Sequence, residues 1–572
     1  MGLVDCGSGV RLERGVTCRM SDGAVLVSDH YYPEGEGPFP TLLMRQPYGR
    51  DIASTVVYAH PVWFARHGYQ VVIQDVRGRG DSEGVFYPFR HERKDGAETI
   101  AWLRSHPRCN GSIGMYGFSY QGMTQLLAAV EQPQGLVCIA PAMTACDLYH
   151  GWFYRHGALR LASSLGWGLQ MLRADVRRMG MHEASATLEA AWSNLRTQAN
   201  YAPYGRHPAL QDKGLPVYVK DWFRHAEPSS YWEDMDISRA LGRIAVPALH
   251  LSGWFDTYLD GSVDGFLELQ RSAATRFARE HQYLLAGPWI HIPWGNLIGV
   301  QNFGSEALLD TDEILLRWFN HWMKDTGEFC NEPRIRHFAL GENRWFASEA
   351  WPRQAGLRLF LHSGGRANSR KGDGVLAEVE PADDEPRDIF VYDPEVPVFA
   401  PGGPSSLSGP HEQAEMEQGN NLLVYTSEPL QERQHIFGHP AITLYAATSA
   451  ESADFTAKLV RVRPDGSALF LCMGIARSSW LFAAEGYSSD TVQRWHFDLD
   501  PISCVFFPGE RIRLEIASSA FPLYDRNPST NLPASEACPG AQGGGWSRST
   551  QQVLHTAEHR SVLLLPLAES AA

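Results

Sequence analysis

The pattern that most constrains the fold is an alternation of short apolar runs with helical repeats over residues 1–146. Apolar runs that read as buried strands occupy residues 41–45, 71–75, 113–116 and 136–140. Amphipathic helical patterns lie among them, at residues 97–103 and 123–130. Buried strands that alternate with helices favour a parallel, doubly wound sheet. We therefore predict an α/β domain for this part of the chain.

The rest of the chain shows different patterns. Residues 147–240 lack strand signals and are helical in pattern and rich in aromatic side chains, which predicts a cap inserted into the α/β domain. Strand patterns resume at residues 247–252 and 283–286. From residue 351 onward, short alternating runs are separated by Pro/Gly turns, as in an antiparallel β-sandwich. The predicted domains are residues 1–146 with 241–350, residues 147–240, and residues 351–572.

Composition and charge disfavour several classes of protein. The chain has 572 residues, which is too many for one hydrophobic core. Its 44% hydrophobic and 20% charged residues are ordinary for a globular protein. The 50 Lys+Arg against 65 Asp+Glu give a net charge of −15, which disfavours nucleic acid and anionic membrane as partners.

The sequence also predicts a cytoplasmic location. No apolar run approaches the roughly 18 residues that span a bilayer. Residues 1–20 lack the apolar stretch of a secretory signal. The nine cysteines are scattered and never in C-x-x-C spacing, so we expect thiols in a reducing compartment rather than a disulfide frame or a zinc site.

A literal search for Gly-x-Ser-x-Gly finds one serine that we reject as a nucleophile. The motif is Gly80-Asp-Ser-Glu-Gly84, centred on Ser82. A nucleophilic serine in this motif must directly follow a strand and open a helix. Ser82 instead lies several residues beyond the strand pattern that ends at Asp75, and the carboxylates on either side of it would oppose a developing oxyanion. We expect Ser82 to be a polar loop residue held by local hydrogen bonds.

Ser119 satisfies the structural requirement better. A strand pattern at 113–116 leads into Gly117-Phe-Ser-Tyr-Gln-Gly122, and apolar residues at helical spacing follow from Met123. A strained turn between strand and helix needs small neighbours, because the backbone passes close to itself. The second glycine stands at Ser+3 rather than Ser+2, so the motif by itself also allows a turn with a capping serine.

A serine hydroxyl is a weak nucleophile at neutral pH, so it needs a base that is itself oriented by an acid. In α/β-hydrolases the chain order is serine, acid, histidine, each after a strand. Asp256 follows the strand pattern at 247–252, and His291 follows the one at 283–286. These two residues are therefore the predicted acid and base.

Other acids and histidines fit this order less well. Asp260 and Asp264 are rivals for the acid, but they lie further into what reads as the following helix. His281 precedes its strand and His250 lies inside one, so we expect both to be structural.

With these residues in place, the chain resembles the cocaine-esterase-like acyl hydrolases, which are related to X-Pro dipeptidyl peptidases, glutaryl acylases and α-amino-acid ester hydrolases. The resemblance runs essentially end to end. The motifs that carry it are Arg45-Gln-Pro-Tyr48, Asp75-Val-Arg-Gly-Arg-Gly-Asp-Ser-Glu-Gly84, Met115-Tyr-Gly-Phe-Ser-Tyr-Gln-Gly122, Gly253-Trp-Phe-Asp256, Gly287-Pro-Trp-Ile-His291, Gly341-Glu-Asn-Arg-Trp345, Asp454-Phe-Thr-Ala-Lys-Leu-Val and Asp525-Arg-Asn-Pro-Ser-Thr.

The resemblance implies an α/β-hydrolase domain with a helical cap and a C-terminal β jelly roll. It implies Ser119 as nucleophile, His291 as base and Asp256 as orienting acid, and the family elbow has its glycine at Ser+3. It further implies an oxyanion hole made by the Tyr48 hydroxyl and the backbone N–H of Tyr120. Two such donors aimed at a tetrahedral intermediate are typically worth about 3 kcal/mol each.

The predicted reaction is hydrolysis of an ester, or of an amide, through an acyl-enzyme, without a metal or cofactor. The α-amino-acid ester hydrolases hold the substrate ammonium with acidic residues, which we would look for just after the triad acid. Here Thr257-Tyr-Leu259 follows Asp256, although Asp260 leaves the question open. An uncharged, partly aromatic acyl group is therefore favoured.

Two alternatives remain open on the sequence. A peptidase or acylase acting on amides, such as an Xaa-Pro dipeptidyl peptidase, needs a site for a free N-terminal ammonium, so Glu233 or Asp234 in the cap would have to point into the pocket. A carbohydrate-binding protein with an inert hydrolase domain is the other, and the ordered serine, acid and histidine argue against it. The sequence also leaves a homodimer open.

Overall fold

The computed structural model describes residues 4–7, 9–51, 55–233, 235–327, 329–352, 355–405, 407–484, 486–540 and 545–568. The strands of its first part are β1 (Val4–Asp5), β2 (Arg11–Arg19), β3 (Val25–Tyr32), β4 (Phe39–Gln46), β5 (Gln70–Asp75), β6 (Cys109–Phe118), β7 (Leu136–Ala142), β8 (Tyr154–Arg155), β9 (Ala158–Leu159), β10 (Ala248–Phe255), β11 (Gln282–Ile290), β12 (Leu297–Ile298), β13 (Gln301–Asn302), β14 (Ile335–Ala339) and β15 (Arg344–Ser348). The α-helices of this part are α1 (Pro61–Arg66), α2 (Glu92–Arg104), α3 (Tyr120–Ala129), α4 (Leu161–Met179), α5 (His182–Trp192), α6 (Leu195–Ala199), α7 (Tyr218–Arg224), α8 (Ser230–Glu233), α9 (Leu259–Ser272), α10 (Arg276–Glu280) and α11 (Thr311–Lys324).

The first part is built on a large mixed sheet. Among the described residues its strands lie in the order β1-β2-β3-β5-β4-β6-β7-β10-β11-β14-β15. The strands from β5 to β14 in this order pair in parallel, while β1, β2, β3 and β15 are antiparallel additions at the two edges. Every residue of β5 and of β10 is buried, as expected for central strands that are covered by helices on both faces.

The strands and helices predicted for residues 41–140 are all present, in β4, β5, β6, β7, α2 and α3. The antiparallel strands β2 and β3 were not predicted, because polar residues interrupt their apolar alternation. The predicted α/β-hydrolase fold is confirmed by the parallel sheet and its helices.

The chain between β7 and β10 is mainly helical and packs over the carboxyl end of the sheet. It contains α4 to α8, a π-helix at Leu148–Phe153 and the short β8–β9 pair. Residues of this segment share one hydrophobic core with α2 and α3, which fixes the helices above the sheet edge. The boundaries predicted at residues 147 and 240 remain predictions.

The C-terminal part is rich in β-structure. Its strands are β16 (Ala355–His362), β17 (Val375–Ala377), β18 (Asp388–Tyr392), β19 (Leu423–Ser427), β20 (Gln434–Gly438), β21 (Ala441–Thr448), β22 (Asp454–Val462), β23 (Ala468–Arg477), β24 (Gln493–Asp498), β25 (Ile502–Phe506), β26 (Arg511–Ala517), β27 (Ser549–Leu554) and β28 (Val562–Pro566), with one short helix, α12 (Ser478–Leu481). Their pairings are antiparallel except for β17 with β19. Among the described residues, no helix is long and apolar enough to cross a membrane.

Candidate active site

Ser119 occupies a strained turn between β6 and α3. Strand β6 ends at Phe118 and α3 begins at Tyr120, so one residue makes the whole reversal. That residue has φ 60° and ψ −126°, a conformation that costs a non-glycine residue of the order of 1–3 kcal/mol. Its N–H donates to the Ala142 carbonyl at 2.8 Å, which anchors the turn to β7. This is the geometry that lifts a nucleophile above the sheet in α/β-hydrolases.

The two glycines of the motif are required by close packing. Gly117 has φ +136°, and a Cβ there would lie 2.5 Å from the Gln121 Cβ. A Cβ on Gly122 would lie 2.8 Å from the Thr144 side chain, which follows β7. The position at Ser+3, rather than Ser+2, is therefore the one where helix α3 approaches the neighbouring strand closely.

The structure brings Asp256 and His291 together. Asp256 follows β10 and His291 follows β11, at the same edge of the sheet as Ser119. The His291 Nδ1 lies 2.5 Å from the Asp256 Oδ2, and the other carboxylate oxygen accepts the Tyr258 N–H at 2.8 Å. The Asp256 side chain is fully buried, whereas the His291 side chain is 30% exposed. Because Nδ1 donates to the carboxylate, Nε2 carries the free lone pair.

His291 stands next to the turn that carries Ser119. Its ring centroid is 5.5 Å from that of Phe118, the last residue of β6. On its other side, the Tyr258 ring meets it edge-on at 5.3 Å. Two aromatic neighbours thus hold the imidazole plane while its carboxylate partner fixes the ring rotation.

The two predicted oxyanion donors come from different loops: Tyr120 directly follows Ser119, and Tyr48 lies after β4 with its hydroxyl in polar contact with Ser119. Burial raises the pKa of Tyr48 to about 12, although polar interactions with Trp167 and Ser119 partly offset this effect. The Tyr48 N–H donates to the Gln46 side chain at 2.8 Å, which fixes the loop after β4. The Tyr120 N–H is the first amide of α3, where no helical carbonyl precedes it to accept a hydrogen bond.

A buried polar network supports this turn from below. The Tyr120 hydroxyl donates to the Glu92 carboxylate at 2.8 Å, and Arg45 donates to the other Glu92 oxygen at 2.7 Å. Arg45 also donates to the Gln74 side chain at 2.7 Å. The Arg45-Gln-Pro-Tyr48 motif therefore serves both the support of α3 and the placement of Tyr48.

Aromatic side chains pack against Tyr258 and Tyr120, the residues that flank the proposed acid and the Ser119 turn. The Trp152 ring stacks on the Tyr258 ring at 4.1 Å, and the Phe89 ring stacks on the Tyr120 ring at 4.6 Å. Trp167 lies 5.7 Å from the Trp152 ring. These contacts were not individually predicted, because the sequence shows which residues are aromatic but not which of them face Ser119.

The serine and histidines rejected on the sequence have structural partners. The Ser82 hydroxyl donates to the Asp75 carbonyl at 2.7 Å and accepts the Val27 N–H at 2.8 Å. His250 is buried and pairs with the Gln282 side chain at 3.2 Å, and burial lowers its pKa to about 4. His281 pairs with the Phe277 carbonyl at 2.7 Å at the end of α10.

The rival acids are not directed at His291. Asp260, in the first turn of α9, is paired with two arginines of the preceding segment, Arg155 at 2.8 Å and Arg160 at 2.6 Å. Asp264 lies one turn further, and the His439 Nε2 is 3.8 Å from its carboxylate. Burial lowers the pKa of His439 to about 4. Neither Arg155 nor Arg160 was predicted as a functional residue. The feature in the sequence that could have pointed to them is the occurrence of two arginines close together in an aromatic segment.

A cavity of about 1060 Å³ with a mixed polar and apolar lining lies between α9 and the C-terminal part. Its charged and aromatic lining includes Asp147, His150, Asp264, His439, Trp480 and Asp498. Neither Ser119 nor His291 lines it. This cavity is therefore distinct from the space in which the predicted nucleophile and base meet.

The parallel sheet with an elbow residue after β6 defines the class of protein, the α/β-hydrolases, and comparison with known proteins identifies the chain as a serine hydrolase. The family model described as X-Pro dipeptidyl-peptidase (S15 family) matches residues 22–293. A second model, described as X-Pro dipeptidyl-peptidase C-terminal non-catalytic domain, matches residues 328–564. The chain belongs to the S15 family.

A curated relative agrees with this assignment. Cocaine esterase of Rhodococcus sp. (strain MB1 Bresler) is 32% identical over 581 residues, which cover 96% of this chain and 97% of that protein. The resemblance to cocaine-esterase-like hydrolases is thereby confirmed.

Solved structures show the same fold over the full length. An aminopeptidase from the marine sediment archaeon Thaumarchaeota archaeon superposes with a TM-score of 0.79 at 24% identity, covering 97% of this chain and 96% of that one. An α-amino acid ester hydrolase superposes with a TM-score of 0.78 at 24% identity, covering 99% and 98%.

Proposed function

We propose that the chain hydrolyses carboxylic esters with Ser119 as nucleophile, His291 as general base and Asp256 as orienting acid. The observation that carries the proposal is the His291–Asp256 pair, 2.5 Å apart, beside the strained turn that presents Ser119. A serine without a neighbouring base is inert at neutral pH, and a base without an orienting acid samples unproductive tautomers. All three requirements meet at one edge of the sheet.

In the acylation step, the Ser119 oxygen attacks the ester carbonyl carbon while the His291 Nε2 takes the hydroxyl proton. Asp256 accepts the Nδ1 hydrogen bond and stabilises the imidazolium that forms. The carbonyl oxygen becomes an oxyanion that accepts hydrogen bonds from the Tyr48 hydroxyl and the Tyr120 N–H. Since burial raises the pKa of Tyr48 to about 12, this hydroxyl keeps its proton at neutral pH and remains a donor.

Collapse of the tetrahedral intermediate expels the alcohol, which receives the proton held by His291. The acyl group then remains on Ser119 as an ester. Water, deprotonated by His291, attacks the acyl-enzyme carbonyl and forms a second oxyanion. Its collapse breaks the bond between the acyl group and the Ser119 oxygen, His291 returns its proton to that oxygen, and the free acid leaves. In both half-reactions His291 takes the proton from the attacking oxygen and gives it to the leaving oxygen.

The surroundings favour an uncharged acyl group with a flat apolar face. The Tyr258 ring lies edge-on to His291 and stacks on the Trp152 ring, and aromatic rings bind planar groups by stacking. A substrate ammonium would need an unpaired carboxylate in this space. The nearest acid after Asp256 is Asp260, which is already paired with Arg155 and Arg160.

The same reasoning places esters ahead of dipeptides. In the cap, Glu233 pairs with Arg239 at 2.9 Å and its side chain is 55% exposed, so its charge is directed to solvent. Asp234, the other acid considered for an N-terminal ammonium, lies outside the described residues. Glu233 therefore offers no free, buried carboxylate for an α-amine at Ser119.

The test replaces each of the two candidate serines separately. We expect Ser119→Ala to abolish hydrolysis of p-nitrophenyl esters and labelling by a fluorophosphonate probe, because both require the serine oxygen. Ser82→Ala is the matched control, since it removes a buried hydroxyl in the literal Gly-x-Ser-x-Gly motif while leaving the proposed triad intact. Full activity in Ser119→Ala would refute the proposal.

A substrate panel separates the acyl classes. We expect aryl esters of benzoic acid to be cleaved with a higher kcat/KM than the corresponding α-amino-acid esters and dipeptidyl-proline anilides. A preference for the anilides would instead favour the peptidase alternative. Failure of the parent chain to react with both the esters and the fluorophosphonate would revive the binding-protein alternative.

A further inference from the structure

We infer that Arg160 is a positioning residue for the proposed triad acid, acting through the peptide that joins Thr257 to Tyr258. The Arg160 Nη1 donates to the Thr257 carbonyl at 2.9 Å. The N–H of the same peptide unit, that of Tyr258, donates to the Asp256 Oδ1 at 2.8 Å. One peptide plane therefore connects the guanidinium to the carboxylate, and the inference rests on the proposed function of Asp256.

The geometry of a peptide makes this connection rigid. A trans peptide is planar, with its C=O and N–H pointing in opposite directions, so fixing the carbonyl fixes the direction of the N–H. Asp256 uses one oxygen for this N–H and the other for His291. A rotation of the peptide would turn the carboxylate away from the imidazole. Hydrogen bonds in series also polarise one another, so a cationic donor at the carbonyl strengthens the bond from the N–H.

Arg160 itself is held in place by buried charges. Its side chain is 1% exposed, and its Nη2 donates to the Asp260 Oδ2 at 2.6 Å. Arg155 donates to the same Asp260 oxygen at 2.8 Å. Breaking a buried pair leaves an uncompensated charge, which is strongly unfavourable, so neither arginine is free to swing away.

The chain of contacts continues into the C-terminal part. Arg155 is ion-paired with Asp500 and donates to the Asp498 carbonyl at 3.1 Å. Asp500 stands just after β24, in the part of the chain that the family model describes as non-catalytic. The β-rich part is thus linked to the proposed triad acid through Arg155, Asp260 and Arg160.

The test compares variants of Arg160 with a buried arginine far from the site. Arg160→Met removes both hydrogen bonds, and we expect kcat on an aryl ester, measured per active site titrated with a fluorophosphonate, to fall roughly 10-fold or more, less than removal of the acid itself. KM should change less than about twofold, because no contact with substrate is lost. Arg160→Lys keeps one cationic donor and should restore part of kcat.

Arg461→Met is the matched control. Arg461 is similarly buried and makes a two-point pair with Glu510, at 2.9 and 2.6 Å, in the C-terminal part. It should lower the melting temperature while leaving kcat per titrated site unchanged. A merely structural role for Arg160 would give the same result as this control, and that outcome would overturn the inference.

A second variant covers the case in which Arg160→Met does not fold. Asp500→Asn removes the charge that pairs with Arg155, at the far end of this series of contacts, and should reduce kcat severalfold with an unchanged KM. Unchanged kcat in folded Asp500→Asn would then overturn the inference, whereas retained kcat in Arg160→Lys would agree with it. The proposed function is tested separately: if Ser119→Ala retains full activity, the triad is wrong, whereas an inactive Ser119→Ala with a fully active Arg160→Met leaves the triad and removes only the positioning role.

Discussion

Two regions of the molecule each bring together a serine, a histidine and carboxylates. One is the proposed triad at the edge of the parallel sheet. The other lies in the C-terminal part, where the Ser363 hydroxyl is 3.2 Å from the His555 Nε2, and the His555 Nδ1 is 3.2 Å from Glu385. By residue type and distance alone the second cluster looks like a triad. The difference between the two shows what a catalytic arrangement needs beyond its residues.

The histidines differ in how many nitrogens are free. Both His555 nitrogens face carboxylates, since Nε2 also lies 2.9 Å from Asp388, and the side chain is wholly buried. Burial by itself lowers the pKa of His555, but the hydrogen bond and charge of Asp388 and the charge of Glu385 outweigh it, so that pKa stands above its ordinary value. A histidine whose two nitrogens both face carboxylates has no nitrogen left to accept a proton from a serine. His291 gives only one nitrogen to a carboxylate.

The serines differ in backbone and in partners. The Ser363 hydroxyl donates to Asp388 at 2.7 Å and accepts the Gly365 N–H at 2.9 Å, so it is fully used in holding a loop. Its backbone is not in the left-handed region, whereas Ser119 has φ +60°. A strained turn and a free imidazole nitrogen, rather than proximity, distinguish the site from the structural cluster.

The largest expected contrast comes from replacing the two histidines. We expect His291→Gln to lower kcat by on the order of 10⁶, because nucleophile and base act as one unit. His555→Gln should leave kcat unchanged but lower the free energy of unfolding by about 3 kcal/mol, since the buried Asp388 carboxylate loses its partner. Ester kinetics and chemical denaturation measure the two effects. Loss of activity in folded His555→Gln would erase the distinction.

Replacing the acids should give a smaller contrast. Asp256→Asn should keep the fold but lower kcat by about 10⁴, because the amide cannot hold the imidazole in the required tautomer. Asp388→Asn serves as the control, with kcat retained and stability reduced. Equal kcat values for the two variants, measured on the same aryl ester, would argue against Asp256 as the orienting acid.

The backbone strain at Ser119 can be measured directly. Ser119→Gly and Ser119→Ala both remove the hydroxyl, but only glycine adopts φ +60° with ψ −126° without strain. We expect the glycine variant to be more stable than the alanine variant by about 1–2 kcal/mol. Ser363→Ala and Ser363→Gly should show the opposite order, since that position is unstrained. Thermal unfolding of the four variants decides the point.

The smallest expected effect is a pH dependence of stability. The folded pKa of His555 is raised, so its contribution to stability is complete below the ordinary histidine pKa of about 6.5 and is lost as pH rises through the folded value. The pKa of Asp388 is lowered, because hydrogen bonds from His555, the Ala367 N–H and Ser363 outweigh burial, so its contribution disappears in acid. The free energy of unfolding of the parent minus that of His555→Gln should therefore fall as pH rises above about 6.5. A constant difference would contradict the charged state assigned to His555.

Of the two regions compared, only the residues of the proposed triad could be predicted from the sequence. The strand-to-helix context identified Ser119 over Ser82, and chain order identified Asp256 and His291, because local pattern and strand ends carry that information. Their catalytic roles remain predictions. The glycine at Ser+3 was explicable only from the family resemblance, and the structure gives the physical reason, the approach of α3 to Thr144.

The remainder depended on contacts between distant parts of the chain. Arg155 and Arg160 meet Asp260 across about a hundred residues, and Asp500 is more distant still. No periodicity or motif reports such pairings. The edge strands β2 and β3 were not predicted for a related reason. The pairing of β3 with β5, and of β2 with β3, is decided by tertiary packing.

The main chain and the side chain of Tyr258 have different roles. Its N–H orients Asp256, and a main-chain amide is available from every residue except proline. Its ring stacks on Trp152 and lies edge-on to the His291 ring. A substitution at this position can therefore reshape which acids are accepted while leaving the hydrogen bond to the carboxylate in place. The preference for one acyl group over another can therefore change during evolution at this position while the hydrogen bond that orients Asp256 is kept.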